Sequence, residues 1–281
     1  MGKWITRLLT LALLGVFLFS AGRLLAIRLR YRKSEQVYSS LAEEVTAQTA
    51  APTSAPVQPD AAPTPDAEDD GRDEIPEEER VPVYVNFDAL RAINEDIVGW
   101  IYCEDSVINY PVVYRGDNEY YLDHNIRHEV DPCGSIFADK SNHKGFVDSN
   151  VILYGHHMQN MSMFASLKYW LEQEYYEEHP VMWLLTPEGD YRVDLFSGYE
   201  TAARSESYSI YYGPRPEFDE YLQNVAAQSK FTPHPVELDG FAKYVMLSTC
   251  AYSFNEARTV LHGKLTPVPS VGGVPNVGYK G

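Results

Sequence analysis

The sequence predicts a mainly β fold, an antiparallel barrel or sandwich that carries helical inserts. Short apolar runs of four to eight residues dominate the chain from about residue 107 onward, which is typical of strands. Helical patterns are missing between most of these runs, whereas a parallel βαβ sheet would need them there. No glycine-rich phosphate loop is present either, which argues against nucleotide chemistry.

Composition and charge allow a folded body and exclude some classes of function. The 281 residues are 44% hydrophobic and 13% aromatic, which is enough to fill a core. Forty acidic residues against 23 basic ones give a net charge of −17, so we expect no nucleic acid partner. The three cysteines, Cys103, Cys133 and Cys250, cannot all pair, so the chain is not a disulfide scaffold and at least one thiol is free.

Residues 1–33 are predicted to form a membrane anchor with its flanks. They carry a charge of +7 and no acid. The stretch from Trp4 to Ile27 is long enough to span a bilayer if Arg7 and Arg23 reach the two interfaces. A signal peptide is the alternative, because Ser20-Ala21-Gly22 could serve as a small-residue cleavage site. The apolar residues that continue to Ile27 favour the anchor, while the bases after the run leave its orientation open.

Residues 34–80 are predicted to form a helical stalk followed by an acidic, proline-rich linker. Val37, Leu41 and Val45 recur every four residues, which indicates a helix up to about residue 48. From residue 49 to 80 the chain turns to Ala, Pro, Thr, Asp and Glu, and residues 60–80 alone carry −8. Such a segment buries too little apolar surface to offset its ordering entropy. It is predicted to be an extended tether that holds the folded body off a surface.

The folded body is predicted to cover residues 81–268 and to begin with a helix at Phe87–Val98, with Asp88 in its first turn. The predicted strands are Val107–Tyr114, Gly134–Ala138, Val151–Tyr154, Val181–Leu185, Tyr191–Gly198, Lys243–Leu247 and Thr259–Leu265. Residues 187–190, with the sequence PEGD, indicate a hairpin turn between two of them.

Two helical inserts are expected to interrupt the strands. Apolar side chains share one face over residues 163–171, and again over residues 218–225. The irregular C-terminal tail, residues 269–281, has no apolar run. We therefore expect neither a second anchor nor a sorting signal in this protein.

Cys250 has a setting that suggests chemistry. It ends the run KYVMLSTC at the lip of a predicted strand, and Arg258 opens the next apolar run eight residues later. If the two residues flank a loop between adjacent strands, their side chains can meet at one end of the sheet. A guanidinium there stabilises a thiolate and offers a rigid donor fork to an oxyanion. Free cysteines are more often small buried hydrophobes, and this interpretation is kept for Cys103 and Cys133.

His156 is the candidate acid or base, in the sequence GHHM directly after the strand VILY. A histidine at a strand end can donate a proton to a leaving amine. The adjacent His156 and His157 point in different directions, and no Cys/His spacing typical of zinc is present, so we expect no metal and no cofactor. His157 and the other histidines are interpreted as structural or surface residues.

Together these elements resemble class B sortases, the membrane-anchored cysteine transpeptidases of Gram-positive bacteria. The resemblance runs from about Asn86 to Leu265 and includes NEDIVGWIY, INYPVVY, DNEYYLDH, NVILYGHHMQNMSMFASL and MLSTCAYSFNEARTV. It implies a closed eight-stranded barrel, antiparallel or mixed, with N-terminal helices and a helical insert before the cysteine strand. It also implies Cys250 as the nucleophile, Arg258 as the oxyanion and substrate-positioning group, and His156 as the general acid/base, because the family histidine directly follows a glycine.

The resemblance implies a reaction and a place in the cell. The enzyme would cleave a C-terminal sorting signal, of the Asn-Pro-x-Thr type, at its Thr carbonyl through a thioacyl-enzyme. It would then transfer the secreted protein to an amine of a peptidoglycan precursor or a pilin. Because such substrates are exported, residues 1–7 would lie in the cytoplasm and the body outside, on a single membrane anchor.

Two alternatives from other classes remain. One is a thiol endopeptidase that cuts cell-wall peptides, although papain-like enzymes place the cysteine before the histidine in the chain. The other is a non-catalytic surface-binding module in which Cys250 is merely buried.

Overall fold

The computed structural model describes residues 2–48 and 81–269, so the acidic linker at 49–80 and most of the tail lie outside the described residues. The helices are α1 (Lys3–Val45), α2 (Phe87–Ile93), α3 (Gln173–Glu178) and α4 (Pro216–Ala226). The strands are β1 (Thr46–Gln48), β2 (Val83–Val85), β3 (Ile97–Tyr102), β4 (Asn109–Val113), β5 (Ile136–Ala138), β6 (Asn150–Tyr154), β7 (Val181–Thr186), β8 (Gly189–Ala202), β9 (Lys243–Cys250) and β10 (Ala257–Val268). Short 3-10 helices cover Tyr120–Leu122, Ala165–Leu171 and Glu206–Tyr208.

Eight strands close into a barrel in the order β10-β8-β7-β3-β4-β5-β6-β9. The pairs β4–β5 and β6–β9 are parallel, and the other neighbours are antiparallel. Side chains such as Trp100, Leu153 and Leu247 are fully buried in the core. The expected closed, mixed, mainly β barrel is therefore confirmed, and the sandwich is excluded by the closure.

The first strand of the barrel differs from the sequence prediction. The helix expected at Phe87–Val98 ends at Ile93, and Ile97–Tyr102 forms β3 instead. The buried side chain of Asn94 donates to Tyr121 Oη (2.9 Å) and to the carbonyl of Ile126 (3.0 Å). These tertiary bonds hold Asn94 in an extended conformation and end the helix.

The inserts and the hairpin lie close to where the sequence places them. Residues 165–171 form a 3-10 helix rather than an α-helix, and the insert around residue 218 is α4. The β7–β8 hairpin turns between Thr186 and Gly189, as the PEGD sequence predicts. The insert α4 precedes β9, the strand that ends in the candidate cysteine.

Helix α1 joins the apolar N-terminal segment to the body without a break. Its most apolar 18-residue window has a mean hydropathy of 2.1, and none of that window is buried, so this part is long and apolar enough to cross a membrane. Near its C-terminal end the helix packs against the body instead, and Tyr38, Leu41 and Val45 are buried there. The predicted stalk is therefore part of the folded body.

The flanks of the acidic linker also differ from the expected arrangement. Strand β1 pairs with β2 in an antiparallel sheet, with Gln48 opposite Val83. The described residues on either side of the linker are thus neighbours in one small sheet. A tether that holds the body away from the anchor must precede the body in the chain. Residues 34–48 precede the linker and already pack on the body or pair with β2, so the body begins before the linker.

His262 makes the stability of the barrel sensitive to acid. It lies in β10 and is only 3% exposed, and its ring stacks on that of Tyr199 with centroids 5.6 Å apart. Its Nε2 has no hydrogen-bond partner among the described residues. Burial lowers the pKa of His262 to about 3. The unfolded chain binds this proton below about pH 6.5 while the native protein does not, so stability falls as the pH falls from about 6.5 towards 3.

Replacing His262 with phenylalanine should remove much of this acid sensitivity. Between pH 7.5 and 4.5 we expect the free energy of unfolding to fall by about 2.5 kcal/mol less in the variant than in the unsubstituted protein. Urea unfolding at the two pH values measures this difference. His128→Gln, at an exposed histidine, is the control. Equal acid sensitivity in the His262 variant and the unsubstituted protein would contradict the prediction.

Candidate active site

The pairing of β9 and β10 places Cys250 and Arg258 directly opposite each other. Residues opposite in an antiparallel pair project from the same face, with Cβ atoms about 4.5–5.5 Å apart. Their neighbours Thr249 and Thr259 are buried, at 2% and 1% exposure, whereas Cys250 and Arg258 are half-buried. The thiol and the guanidinium thus share the accessible side of one barrel rim, as the loop between them predicts.

His156 reaches the same rim from β6. This strand runs parallel to β9 with Tyr154 opposite Ser248, and the N–H of Gly155 continues the ladder by donating to the Ser248 carbonyl (3.1 Å). Two residues beyond the Tyr154–Ser248 pair, the chain after β6 reaches His156 and β9 ends at Cys250. The imidazole is half-buried, and its Nε2 donates to the carbonyl of Leu122 (2.6 Å). Because a carbonyl only accepts, Nε2 carries a proton.

The neighbouring His157 makes a different contact. Its Nδ1 donates to the backbone carbonyl of Cys250 (2.7 Å), and its ring meets Tyr252 edge-on at 5.2 Å. This ring therefore holds the main chain of Cys250, while His156 occupies the neighbouring position along the rim. The structural interpretation of His157 fits this contact.

Gly155 is required by a close approach. A Cβ atom at this position would lie 2.5 Å from Ile136 Cδ1 and 2.7 Å from Phe164 Cγ, which is closer than real Cβ contacts. The N–H of Phe164 donates to the carbonyl of His156 (3.1 Å). The chain after His156 thus folds back over the glycine, which explains why a glycine precedes this histidine.

Tyr208 is a residue of the rim that the sequence analysis missed. Its hydroxyl is 2.7 Å from Ser248 Oγ, and its ring is parallel to that of Tyr154 with centroids 6.3 Å apart. Burial raises the pKa of Tyr208, while the charge of Arg258 acts in the opposite direction. Because Ser248 lies two residues before Cys250, the tyrosine contacts the strand that ends in the candidate cysteine. It ends a 3-10 helix of three residues after β8, which is too short to leave a periodic pattern in the sequence.

The three thiols differ in their surroundings. Cys103 and Cys133 are each 1% exposed, and burial raises the pKa of Cys103 to about 12 and that of Cys133 to about 11. Cys250 is only half-buried. Thiolates are the reactive form of cysteine, so the two buried thiols should be inert near neutral pH.

A small methanethiosulfonate reagent at pH 7.5 should therefore modify one thiol rapidly. Intact mass measurement should show a single adduct that is lost in Cys250→Ala and kept in Cys103→Ser and Cys133→Ser. Labelling of two or three thiols at similar rates in the folded protein would show that burial does not separate them.

Within residues 2–48 and 81–269, no group of three or more His, Cys, Asp or Glu side chains is placed to hold a metal ion.

Comparison with known proteins places the chain among relatives with this fold. No family model matches the chain. Sortase B of Listeria monocytogenes is 33% identical over 259 residues, which cover 92% of this chain and 95% of that protein. Sortase B of Staphylococcus aureus is 32% identical over 184 residues, which cover 65% and 75%. The crystal structure of sortase B from Clostridium perfringens superposes with a TM-score of 0.61 at 30% identity, over 64% of this chain and all of that one.

A closed barrel of this topology, with an accessible thiol where a strand ends at the rim, is the architecture of the sortases, which are cysteine transpeptidases. The 33% identity to sortase B of Listeria monocytogenes extends over nine-tenths of the chain, and it indicates the B family among the sortases. The chain belongs to the sortase B family, and the resemblance found in its sequence is confirmed.

Proposed function

We propose that this transpeptidase cleaves a C-terminal sorting signal of secreted proteins at a Thr carbonyl, with Cys250 as nucleophile, His156 as general acid/base and Arg258 as oxyanion stabiliser. The observation that carries the proposal is the cross-strand pair of Cys250 and Arg258 beside the end of β6. Related sortase B structures support it, since one is an S. aureus sortase B–substrate complex and another is sortase B complexed with triglycine.

In the first step, the Cys250 thiolate attacks the Thr carbonyl carbon. The carbonyl oxygen becomes an oxyanion, and the planar guanidinium of Arg258 donates hydrogen bonds to it. The C–N bond then breaks, and the imidazolium of His156 gives its proton to the departing amine. The products are a thioacyl-enzyme, a neutral imidazole and the released C-terminal peptide.

In the second step, the acceptor amine attacks the thioester carbon. His156 takes the proton that the amine loses, the C–S bond breaks, and Cys250 leaves as the thiolate. The net result is one amide bond exchanged for another, without net consumption of water. The donor signal is proposed to be of the Asn-Pro-x-Thr type, and the acceptor to be an amine of a peptidoglycan precursor or a pilin lysine.

The proposed location follows from α1. Its apolar part is exposed throughout the described residues that would cross a bilayer, which is typical of a helix in contact with lipid. Residues 1–33 are proposed to hold this anchor and its flanks, with residues 1–7 in the cytoplasm and the body outside. The barrel then lies next to the membrane, because α1 packs on it from about Ser34 onward.

The test uses the whole chain in detergent with fluorescent peptides that contain Asn-Pro-x-Thr signals. Two acceptor arms, triglycine and a lysine-containing peptide, separate the acceptor classes. A ligated product supports the transpeptidase. Hydrolysis at a rate independent of added amine favours the cell-wall endopeptidase, and absence of turnover with every signal favours the binding module; either result rejects the proposal.

Arg258→Lys should damage turnover although it keeps the charge. An ammonium is a point charge and cannot reproduce the planar donor fork, so we expect kcat/KM to fall about 100-fold. Arg204→Lys is the matched control, because Arg204 is exposed in the turn after β8. Peptide ligation kinetics measure both variants, and full activity in Arg258→Lys would remove the oxyanion role from this residue.

A further inference from the structure

Two buried tyrosines connect α1 to the segment that follows His156. The ring of Tyr38, on α1, meets the ring of Tyr110, on β4, edge-on with centroids 5.6 Å apart. The hydroxyl of Tyr110 accepts a hydrogen bond from the backbone N–H of Met163 (3.0 Å). Both rings are buried, with exposures of 5% and 7%. The helix therefore touches the residue that in turn holds Met163.

Met163 is paired with the segment that carries the two histidines. It forms an antiparallel bridge with His157, and the next residue, Phe164, donates its N–H to the carbonyl of His156 (3.1 Å). His157 in turn holds the carbonyl of Cys250 (2.7 Å). A continuous series of contacts thus runs from the helix to both proposed catalytic residues.

The segment between the histidines and Phe164 needs such external support. Met161 and Met163 adopt positive φ angles of 66° and 55°, which are uncommon for residues with a side chain and cost about 1 kcal/mol or more each. Asn160, in the same segment, donates to Glu35 Oε1 of α1 (2.6 Å). The strained backbone is therefore fixed by bonds that α1 and Tyr110 supply.

Direct packing between the helix and this segment is incomplete. A cavity of about 280 Å³ lies between them, and its lining includes Glu35, Tyr38, Tyr110 and Met163. The residues that line this cavity include the partners of the Tyr110–Met163 and Glu35–Asn160 hydrogen bonds, which therefore help to hold the segment in place.

We propose that Tyr110 and Tyr38 are positioning residues, through which the helix that bears the proposed anchor holds His156 beside Cys250. Neither side chain touches the reacting atoms in this scheme; both act through Met163. The inference rests on the proposed roles of His156 and Cys250. It means that undocking α1 from the barrel lowers the rate of the chemical steps and leaves the binding of the peptide largely unchanged.

Tyr110→Phe is the sharpest test, because it removes one hydroxyl and keeps the ring. The Met163 N–H then loses its acceptor, and small shifts of a catalytic group cost large factors in rate. In the whole chain in detergent we expect kcat for peptide ligation to fall about 10-fold, with KM changed less than twofold.

Tyr176→Phe is the matched control. Tyr176 is also buried, and its hydroxyl likewise accepts from a backbone N–H, that of His234 (2.7 Å), away from the rim. This variant should lose similar thermal stability and keep its kcat. If the role of Tyr110 were purely structural, the two variants would have the same kcat as well as similar thermal stability.

A double substitution tests whether the helix acts through Tyr110. Tyr38→Leu alone should lower kcat about 5-fold, and added to Tyr110→Phe it should lower kcat by less than a further twofold. Losses that multiply in the double variant, or a kcat in Tyr110→Phe equal to that of the Tyr176 control, would overturn the proposal.

Hydrogen–deuterium exchange gives a readout that does not depend on turnover. Amides of residues 156–164 should exchange faster in Tyr110→Phe and in Tyr38→Leu than in the unsubstituted chain, and those of β7 should not. Unchanged exchange in residues 156–164 would overturn the coupling even if activity fell. If the unsubstituted chain ligates no peptide, the proposed function fails, whereas exchange still decides whether α1 holds this segment.

Discussion

Cys250→Ala should abolish both cleavage of the sorting signal and transfer to the amine. The thiol forms the only covalent bond to the acyl group in the proposed reaction, and alanine offers no atom that could replace it. We expect kcat/KM to fall at least about 10⁴-fold, to the limit of detection. Intact mass measurement after mixing with peptide in the absence of amine should show a thioacyl adduct on the unsubstituted chain and none on the variant.

The other two thiols supply the matched controls. Cys103 is buried, with the carbonyl of Val181 3.6 Å from its Sγ, and it follows β3, which lies across the barrel from β9. Cys103→Ser should therefore keep its turnover within about twofold. Cys133→Ser should likewise keep most of its turnover. An acyl adduct that maps to either of these residues, or that survives in Cys250→Ala, would contradict the assignment of the nucleophile.

The barrel strands could be predicted from the sequence because most of them coincide with short apolar runs. The run KYVMLSTC ends where β9 ends, and the PEGD turn closes the β7–β8 hairpin where expected. Strand β3 could not be predicted in this way. Ile93 and Ile97 are four residues apart and continue a helical stripe, while the break between them depends on bonds from Asn94 to Tyr121 and Ile126, distant in the chain.

The packing of α1 against the barrel could not be predicted from the sequence either. Residues that recur every four positions form the same stripe on a free stalk and on a helix packed against a barrel, so the pattern at Val37, Leu41 and Val45 does not separate the two. The partners that decide between them come from the body, where Asp131 accepts from Ser34 and the carbonyl of Gly134 accepts from the Tyr38 hydroxyl.

The candidate site was predictable to the extent that its contacts are local. A short loop between β9 and β10 brings Cys250 and Arg258 together, so their spacing of eight residues was informative. His156 required the family resemblance, because the parallel pairing of β6 with β9 joins segments almost a hundred residues apart. Tyr208 and Tyr110 reach the site through single hydroxyl contacts, which leave no periodic signal in the chain.

His156→Ala should reduce kcat/KM about 1,000-fold or more, and the neighbouring His157→Ala should reduce it much less. The first change removes the group proposed to protonate the departing amine, and a general acid contributes about 10²–10⁴-fold. The second removes a hydrogen bond to the Cys250 carbonyl, which holds the main chain in place without touching the reacting atoms.

A second peptide substrate separates the roles of the two histidines more sharply. In this peptide the departing amine is replaced by a leaving group that departs as an anion and so needs no proton. With this peptide, acylation by His156→Ala should recover substantially, whereas His157→Ala should show the same loss with both peptides. If His157→Ala proved the more damaging change and showed this recovery, the two histidines would exchange roles, and the imidazole that bonds to the Cys250 main chain would be the proton donor.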